Sequence, residues 1–320
     1  MVRAQQDSVN VNPVSDGPWI TLIIPTHNAS IHWQALLESI RGQSLKPQQV
    51  IVIDSASSDS TVREARNAGF TLLEIDSKDF DHGGTRQFAA EHAPNADILI
   101  YLTQDAILYG ADAFKHLVAA FQNPSIGAAY GRQLPRATAK PIEAHARLFN
   151  YPTISAVRSW DTRSNLGFKS IFFSNSFGAY RREALMSVGG FSSGVIFGED
   201  TLVVARLHRA GWKTAYVAEA LVQHSHPYLI REEFRRYFDI GVLHAREPWL
   251  LEQFGSATGE GRRFVLSELR YLLKHGPLRI PSALIRTIAK YVGYKAGRHE
   301  HKMGPRLKYH LGLNKAFWIR

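Results

Sequence analysis

Cysteine is absent from this chain of 320 residues. That excludes disulfides, thiolate nucleophiles and cysteine-based zinc sites, and it is compatible with a reducing compartment. No apolar run approaches the roughly 18–20 residues needed to span a bilayer, so no membrane-crossing helix is expected. The opening stretch, MVRAQQDSVNVNPVSDG, lacks the apolar centre of a signal peptide. Residues 1–18 therefore read as a flexible polar leader on a cytoplasmic protein. No GxGxxG follows the first apolar run and no GxxxxGK[ST] occurs anywhere, which removes the dinucleotide fingerprint and the P-loop. Acidic residues become scarce towards the C terminus: after Glu268 only Glu300 remains, against twelve basic side chains.

What is present describes a globular protein with ample core, 45% hydrophobic and 21% charged. The formal net charge of +10 is unevenly placed. Residues 1–226 carry 20 basic and 20 acidic side chains, and residues 227–320 carry 18 and 8. The tail is thus drawn to phosphate, on nucleic acid or on anionic lipid.

Short β-branched runs at residues 19–24 and 49–53 flank IHWQALLESIRGQ, which has helical spacing. A helix over Ser60–Ala68, a strand over 70–75, a helix over Thr85–His92 and a strand over 97–102 continue the alternation. This interval of strand and helix predicts an α/β fold, a mostly parallel central sheet with helices on both faces. Residues 132–166 form a long Pro- and Arg-containing stretch without assignable pattern, of a length that is often functional. A strand is expected at 170–173, helices over Arg181–Val188 and Thr201–Ala210, and a strand pair over Thr214–Val222. From Tyr228 the character turns helical: Arg231–Phe238, Arg262–Lys274 and Ser282–Lys295, separated by Gly-Pro and Pro breakers. In the last of these, Leu284, Ile288 and Val292 share a face from which Arg286 and Lys290 stand off. Such a helix docks on a core or lies on a membrane surface.

In an open α/β sheet, ligands bind beyond the C-terminal strand ends. The polar clusters lie there: Pro25-Thr26-His27-Asn28, then Asp54 to Asp59, then Thr103-Gln104-Asp105. Carboxylates facing a polyphosphate repel it unless a divalent cation stands between, which makes Asp105 a candidate ligand of Mg²⁺ or Mn²⁺.

The segments ITLIIPTHNA and VIVIDSASSDST resemble the nucleotide-binding half of family 2 glycosyltransferases, which have the GT-A fold. FDHGGTRQFA, YLTQDAIL, FFSNSFGAYRREAL, FGEDTLVVARLHRAGWKTAYVAEALVQHSHPY and YKAGR before a final FW, taken in order, resemble its rhamnosyltransferase branch, which uses dTDP-L-rhamnose. The similarity runs from about Trp19 to Tyr228 and more weakly to the end. It implies a GT-A catalytic domain over 19–227 and a basic helical extension over 228–320 that serves a membrane surface or the acceptor.

The resemblance also implies roles. Pro25, Thr26, Asn28 and Gln104 would line the nucleotide site, with Thr26 and Asp54 at the nucleoside and Asp54 accepting from the pyrimidine N–H. Asp59 would stand near the base pocket, or simply cap the following helix. Gly83 and Gly84 would let backbone approach the diphosphate-sugar, or make a tight turn before a helix capped by Thr85. Arg86 would pair with phosphate or base. Asp105 fills the last place of the family's Asp-x-Asp motif, whose first place is here Thr103; His224, and with it His226, would supply the missing metal ligand. Asp200 would be the base of an inverting transferase, with Glu199 orienting the acceptor, though acidic residues also suit a helix's first turn. Asn175 would contact the sugar or acceptor, and Trp160 would stack on a sugar ring or pack in the core.

The expected activity is transfer of L-rhamnose from dTDP-L-rhamnose to a saccharide, itself lipid-linked, at the inner face of the cell membrane. Two other readings stand beside it: a family 2 transferase of another nucleotide sugar, such as a UDP-hexose, and a basic nucleic-acid- or carbohydrate-binding protein without catalysis. Against nucleic acid as a partner, the charge excess is missing from the α/β half and no nucleic-acid motif appears.

Overall fold

The structure, a computed structural model, describes residues 17–255 and 259–319. The expected leader lies, up to residue 16, outside the described residues. The first half alternates β1 (Ile20–Thr26), α1 (Ser30–Arg41), β2 (Gln49–Ser55), α2 (Thr61–Asn67), β3 (Thr71–Ile75), α3 (His82–Glu91) and β4 (Ile98–Leu102). Then come β5 (Ile107–Leu108), α4 (Ala113–Ala119), β6 (Ile126–Leu134), α5 (Pro141–Asn150), β7 (Ala156–Arg158) and α6 (Arg163–Leu166). Next are β8 (Phe177–Arg181), α7 (Arg182–Ser187), α8 (Glu199–Arg209) and β9 (Lys213–Gln223). Helices close the chain: α9 (Ile230–Arg246), α10 (Pro248–Phe254), α11 (Glu260–His275), α12 (Ile280–Arg298) and α13 (Pro305–Leu311).

All these strands join one sheet, in the order β3-β2-β1-β4-β8-β6-β9-β5 with β7 against β9. Strands β1 to β4 pair parallel, as the alternation predicts. The antiparallel strand β8 then bridges β4 to β6. Both faces of β1 are covered: Leu22 and Ile24 join α1 residues Trp33 and Leu36 on one side, and Ile23 meets Ala89 of α3 on the other. Continuous apolar runs rather than alternation follow from that two-sided burial.

Several local expectations are revised. The stretch 132–166 contains the end of β6 and all of α5, β7 and α6. No strand forms at 170–173. Residues Gly167–Ile171 make a 3₁₀ turn, held by the guanidinium of Arg158, which donates to the Lys169 and Phe172 carbonyls, both at 3.0 Å. The expected strand pair near 214–222 is the single strand β9, whose register against β6 shifts between Gly131 and Arg132.

The C-terminal helices share the core of the sheet. Phe238, Val242 and Leu243 of α9 pack in the same cluster as Leu202 and Val203 of α8. Helix α12 then lies unusually close to α9: a Cβ at Gly297 would stand 2.0 Å from the Phe238 carbonyl oxygen, and one at Gly293 2.3 Å from that of Phe234. Only glycine permits such an approach. Near the C terminus, the Asp239 carboxylate accepts the backbone N–H groups of Leu313 at 3.1 Å and Asn314 at 2.9 Å, which ties the chain end to α9.

Candidate active site

The tips of β1, β2 and β4 are laced together. The Thr26 hydroxyl donates to Asp54 at 2.8 Å, and the Ser57 N–H donates to the same carboxylate at 2.8 Å and its hydroxyl at 2.5 Å. Asp54 is therefore deeply buried, with three of its roughly four lone-pair positions taken. Gln104 grips the backbone of His27, accepting its N–H at 2.8 Å and donating to its carbonyl at 3.0 Å. Asn28, beyond Pro25 and at φ 48°, donates its N–H to Ser57 and accepts from the Ser58 N–H. Of the two readings of Asp59, the geometry matches the helix start: it accepts from the Thr61 N–H at 3.0 Å and the Ser30 N–H at 2.9 Å, bracing α2 and α1. Against the cost of burial, a bond from the Thr61 hydroxyl together with these two holds its carboxyl well below the usual range.

The glycine pair sits elsewhere than expected. Helix α3 begins at His82, capped by Asp81 rather than Thr85, and Gly83 and Gly84 lie inside its first turn. A Cβ at Gly83 would stand 1.8 Å from the Ser192 carbonyl oxygen. Gly83 thus lets α3 press against the loop that leads into α8, and this packing contact requires a glycine. Arg86, on the same helix, turns to the α8 start. Its Nη1 donates to the His82 carbonyl at 2.8 Å and lies 3.4 Å from Glu199 Oε1.

Glu199 and Asp200 open α8 after Gly198, which is left-handed at φ 78°. The Asn175 side chain donates to Glu199 at 3.1 Å, and the Tyr180 hydroxyl donates to the Asn175 side-chain oxygen at 2.8 Å. Asp200 takes two backbone N–H groups, from Asn175 at 3.2 Å and from Thr201 at 2.7 Å. The two carboxyls part company in charge. Burial raises both, but the Arg86 guanidinium and then His82 bring Glu199 below its ordinary value. Burial, and then the Glu199 charge, push Asp200 up to about 7. One carboxylate is ionised and held; its neighbour titrates near neutrality.

Across the cleft, Asp105 Oδ2 lies 3.3 Å from His224 Nε2 and 3.5 Å from His226 Nε2. Ligand atoms of the three residues fall within 4.8 Å of one another. Burial lowers His224, and burial with the neighbouring His224 pushes His226 down to about 4, so both rings offer lone pairs at neutral pH. His224 Nδ1 meets Gln133 Oε1 at 2.9 Å, while the Gln133 amide N–H donates to the Ser174 hydroxyl at 2.9 Å. That assigns the proton to Nδ1 and aims a bare Nε2 at Asp105. One carboxylate and two neutral imidazoles fit a divalent cation.

Both groups line a single cavity of about 660 Å³ that also reaches Arg86, Asn175 and Tyr151. Pro25, Thr26, Asn28, Asp54, Asp59, Gly83, Gly84 and Gln104 are not on its walls. Trp160 is outside it too: its ring packs edge-on to Phe254 with the Arg163 guanidinium 3.8 Å above it. Of its two readings, this geometry matches packing within the fold. Sequence reasoning missed Gln133, whose identity signals nothing until β6 is set beside β9. It also missed Arg147, Asn150 and Tyr151, delivered to the cavity by α5 and the residue after it, in the unassigned stretch.

Residues 21–189 match the model of the family described as glycosyl transferase family 2. The chain belongs to that family. This family 2 glycosyltransferase is 48% identical to the O-antigen chain rhamnosyltransferase RfbN of Salmonella typhimurium strain LT2, over 93% of the chain and 96% of that protein. It is 43% identical to the O-antigen chain rhamnosyltransferase WbaN of Salmonella anatum, over 94% and 96%. Its fold is similar to that of the Pyrobaculum calidifontis mannosyltransferase PcManGT in complex with GDP-Man and Mn²⁺. The TM-score is 0.56 at 19% identity, with 94% of the chain and 85% of that structure covered. The glycosyltransferase therefore has the GT-A fold.

Proposed function

We propose that this enzyme transfers L-rhamnose from dTDP-L-rhamnose, with inversion, to a hydroxyl of a lipid-linked saccharide in the assembly of a bacterial surface polysaccharide. One observation carries the reading: Asp200, a carboxyl poised near neutrality, shares a cavity with the cation-competent Asp105-His224-His226 cluster. The two rhamnosyltransferase relatives at 48% and 43% identity supply the sugar.

The nucleotide lies across the strand tips, with the pyrimidine against Thr26 and Asp54, whose remaining lone pair accepts the ring N–H. Pro25, Asn28, Gln104 and Asp59 shape that rim. Asp105, His224 and His226 hold Mg²⁺ or Mn²⁺; two nitrogen donors favour Mn²⁺, since Mg²⁺ prefers an all-oxygen shell. The cation, when bound, neutralises the donor's diphosphate and so stabilises it as a leaving group. Asp200 takes the proton of the acceptor hydroxyl as that oxygen bonds to the anomeric carbon and the bond from that carbon to the diphosphate oxygen breaks, releasing dTDP. The N–H groups of Asn175 and Thr201 hold Asp200 in place for this. Glu199, kept ionised by Arg86, raises the basicity of Asp200 and orients the acceptor together with Asn175.

A panel of dTDP-, UDP- and GDP-sugars, monitored for nucleoside diphosphate release with and without Mn²⁺, tests the assignment. Preferential turnover of dTDP-L-rhamnose is expected. Faster turnover of a UDP-hexose would replace the donor.

A further inference from the structure

Helix α12 is amphipathic in the inverse sense. On a water-facing helix of a globular protein the apolar stripe turns inward and the charges outward. Here Arg286 and Lys290 turn inward onto the wall of the active-site cavity. Arg286 Nη1 donates to the Tyr228 carbonyl at 2.7 Å and to Glu233 at 2.9 Å, and Lys290 Nζ lies 3.5 Å from the other oxygen of Glu233. Leu284, Ile285, Ile288, Tyr291 and Val292 turn outward, with Ile288 and Tyr291 64% and 63% exposed. Their spacing of three and four places them in one continuous stripe. Just ahead of the helix Leu278 is 94% exposed, and Leu273 at the end of α11 is exposed as well. The glycine contacts between α12 and α9 fix this orientation, because α12 comes this close to the Phe234 and Phe238 carbonyls only along the face that carries Gly293 and Gly297, and that face lacks side chains.

A run of exposed apolar side chains of this length marks an interaction surface. Its occupant is identified by charge. Lys274, Arg279 and Lys295 are exposed around the stripe, and no Asp or Glu occurs between Glu268 and Glu300. A soluble protein partner would need a matching apolar face with an acidic rim. An anionic bilayer offers both in one surface: acyl chains for the stripe and headgroups for the cations. Tyr291, with Lys295 Nζ 5.8 Å from its ring centre, has the amphipathic body suited to the headgroup level.

We infer that α12, with Leu273 and Leu278, is the surface by which this enzyme sits on an anionic membrane, so that the helix which rests on lipid also forms a wall of the catalytic cavity. The inference rests on the proposed lipid-linked acceptor: docking through α12 brings that cavity wall to the lipid surface, where such an acceptor resides.

The test is co-sedimentation of the full chain with vesicles of phosphatidylcholine alone or mixed with phosphatidylglycerol, at about 0.1 M salt. The wild type is expected to partition onto the mixed vesicles, and less so as salt is raised. The variant Leu278→Gln/Ile285→Gln/Ile288→Gln is expected to lose about tenfold or more of that partition. Lys274→Gln/Lys295→Gln is expected to lose the preference for phosphatidylglycerol severalfold. Equal partition of wild type and the triple glutamine variant would overturn the inference, as would a wild type that ignores both kinds of vesicle. So would a dimer in sedimentation velocity that the glutamine variant dissociates, since a second copy would then cover the stripe. Transfer to a free saccharide separates this from the catalytic reading. Intact transfer without vesicle binding removes the membrane surface alone, whereas vesicle binding without transfer from any sugar nucleotide removes the catalytic reading alone.

Discussion

Arg86 and Glu199 face each other across the α3–α8 contact at 3.4 Å, both almost wholly buried. This pair decides the charge state of a third residue. With Glu199 held ionised, its charge adds to burial in raising Asp200 to about 7. The proposed base is active only when unprotonated, so turnover should rise with pH through about 7 and level off above it. Arg86→Met should leave Glu199 free to take a proton, relieve Asp200 of its neighbour's charge, and move the acid limb of the rate profile to lower pH. An acid limb that stays in place in Arg86→Met would remove the coupling.

Asp200→Asn should lower kcat by on the order of 10³-fold, the range for loss of a general base, while leaving donor affinity nearly unchanged. Its effect on stability has the opposite sign. A carboxyl raised in the folded state favours folding most at pH values below its unfolded value near 4; that contribution is lost as pH rises through about 7. Asn carries no such charge. The variant should therefore be more stable than wild type at about pH 8, by on the order of 1–2 kcal/mol, with the gain shrinking towards pH 5. Chemical denaturation at the two pH values measures it.

His224→Ala and Asp105→Ala should each abolish the Mn²⁺ dependence of donor binding, read by titration calorimetry with and without chelator. Gln133→Ala is the finer probe, since it removes only the acceptor that keeps the His224 proton on Nδ1. Loss of such an outer partner typically costs 10–100-fold in metal affinity. Metal affinity in Gln133→Ala equal to wild type would separate Gln133 from the site.

Gly83→Ala places a methyl group 1.8 Å from the Ser192 carbonyl oxygen. Gly297→Ala places one 2.0 Å from that of Phe238. Each should cost about 2–4 kcal/mol in thermal or denaturant unfolding, since backbone cannot yield as a flexible side chain does. The consequences for function should differ. Gly83→Ala shifts the loop ahead of Glu199 and Asp200 and lowers kcat, whereas Gly297→Ala loosens α12 from α9.

The Asp239 carboxylate anchors Leu313 and Asn314 and is pushed up to about 7 by burial, against those two N–H bonds. Asp239→Ala leaves the N–H groups of the exposed Leu313 and the half-buried Asn314 without this acceptor. It should cost about 1–3 kcal/mol and raise hydrogen exchange at 313 and 314, while exchange in β1–β4 stays slow.

Periodicity made the first half of the fold legible. Parallel strands buried on both faces are written as apolar runs, and their C-terminal ends as the polar clusters at residues 26, 54 and 105. Of the two carboxylates proposed to act, Asp105 was legible as a charge that ends an apolar run, and Asp200 through the resemblance of its motif. Resemblance of motifs added the histidines after β9. The stretch 132–166 stayed opaque although Pro141 and Glu143 mark the start of α5, because the three-residue β7 and four-residue α6 that follow are too short to carry a period.

What the sequence by itself determined is therefore the order of elements, the rim on which they end and the residue types gathered there, all properties of neighbours along the chain. Only the tertiary structure decided partners within the fold: Arg86 to Glu199, Gly83 to the Ser192 carbonyl, Trp160 to Phe254, and the apolar face of α12 to the outside. The reason is that a period of two or 3.6 residues specifies which side chains share a face. Which way that face turns is set by contacts between residues a hundred or more apart, and those exist only once the chain has packed.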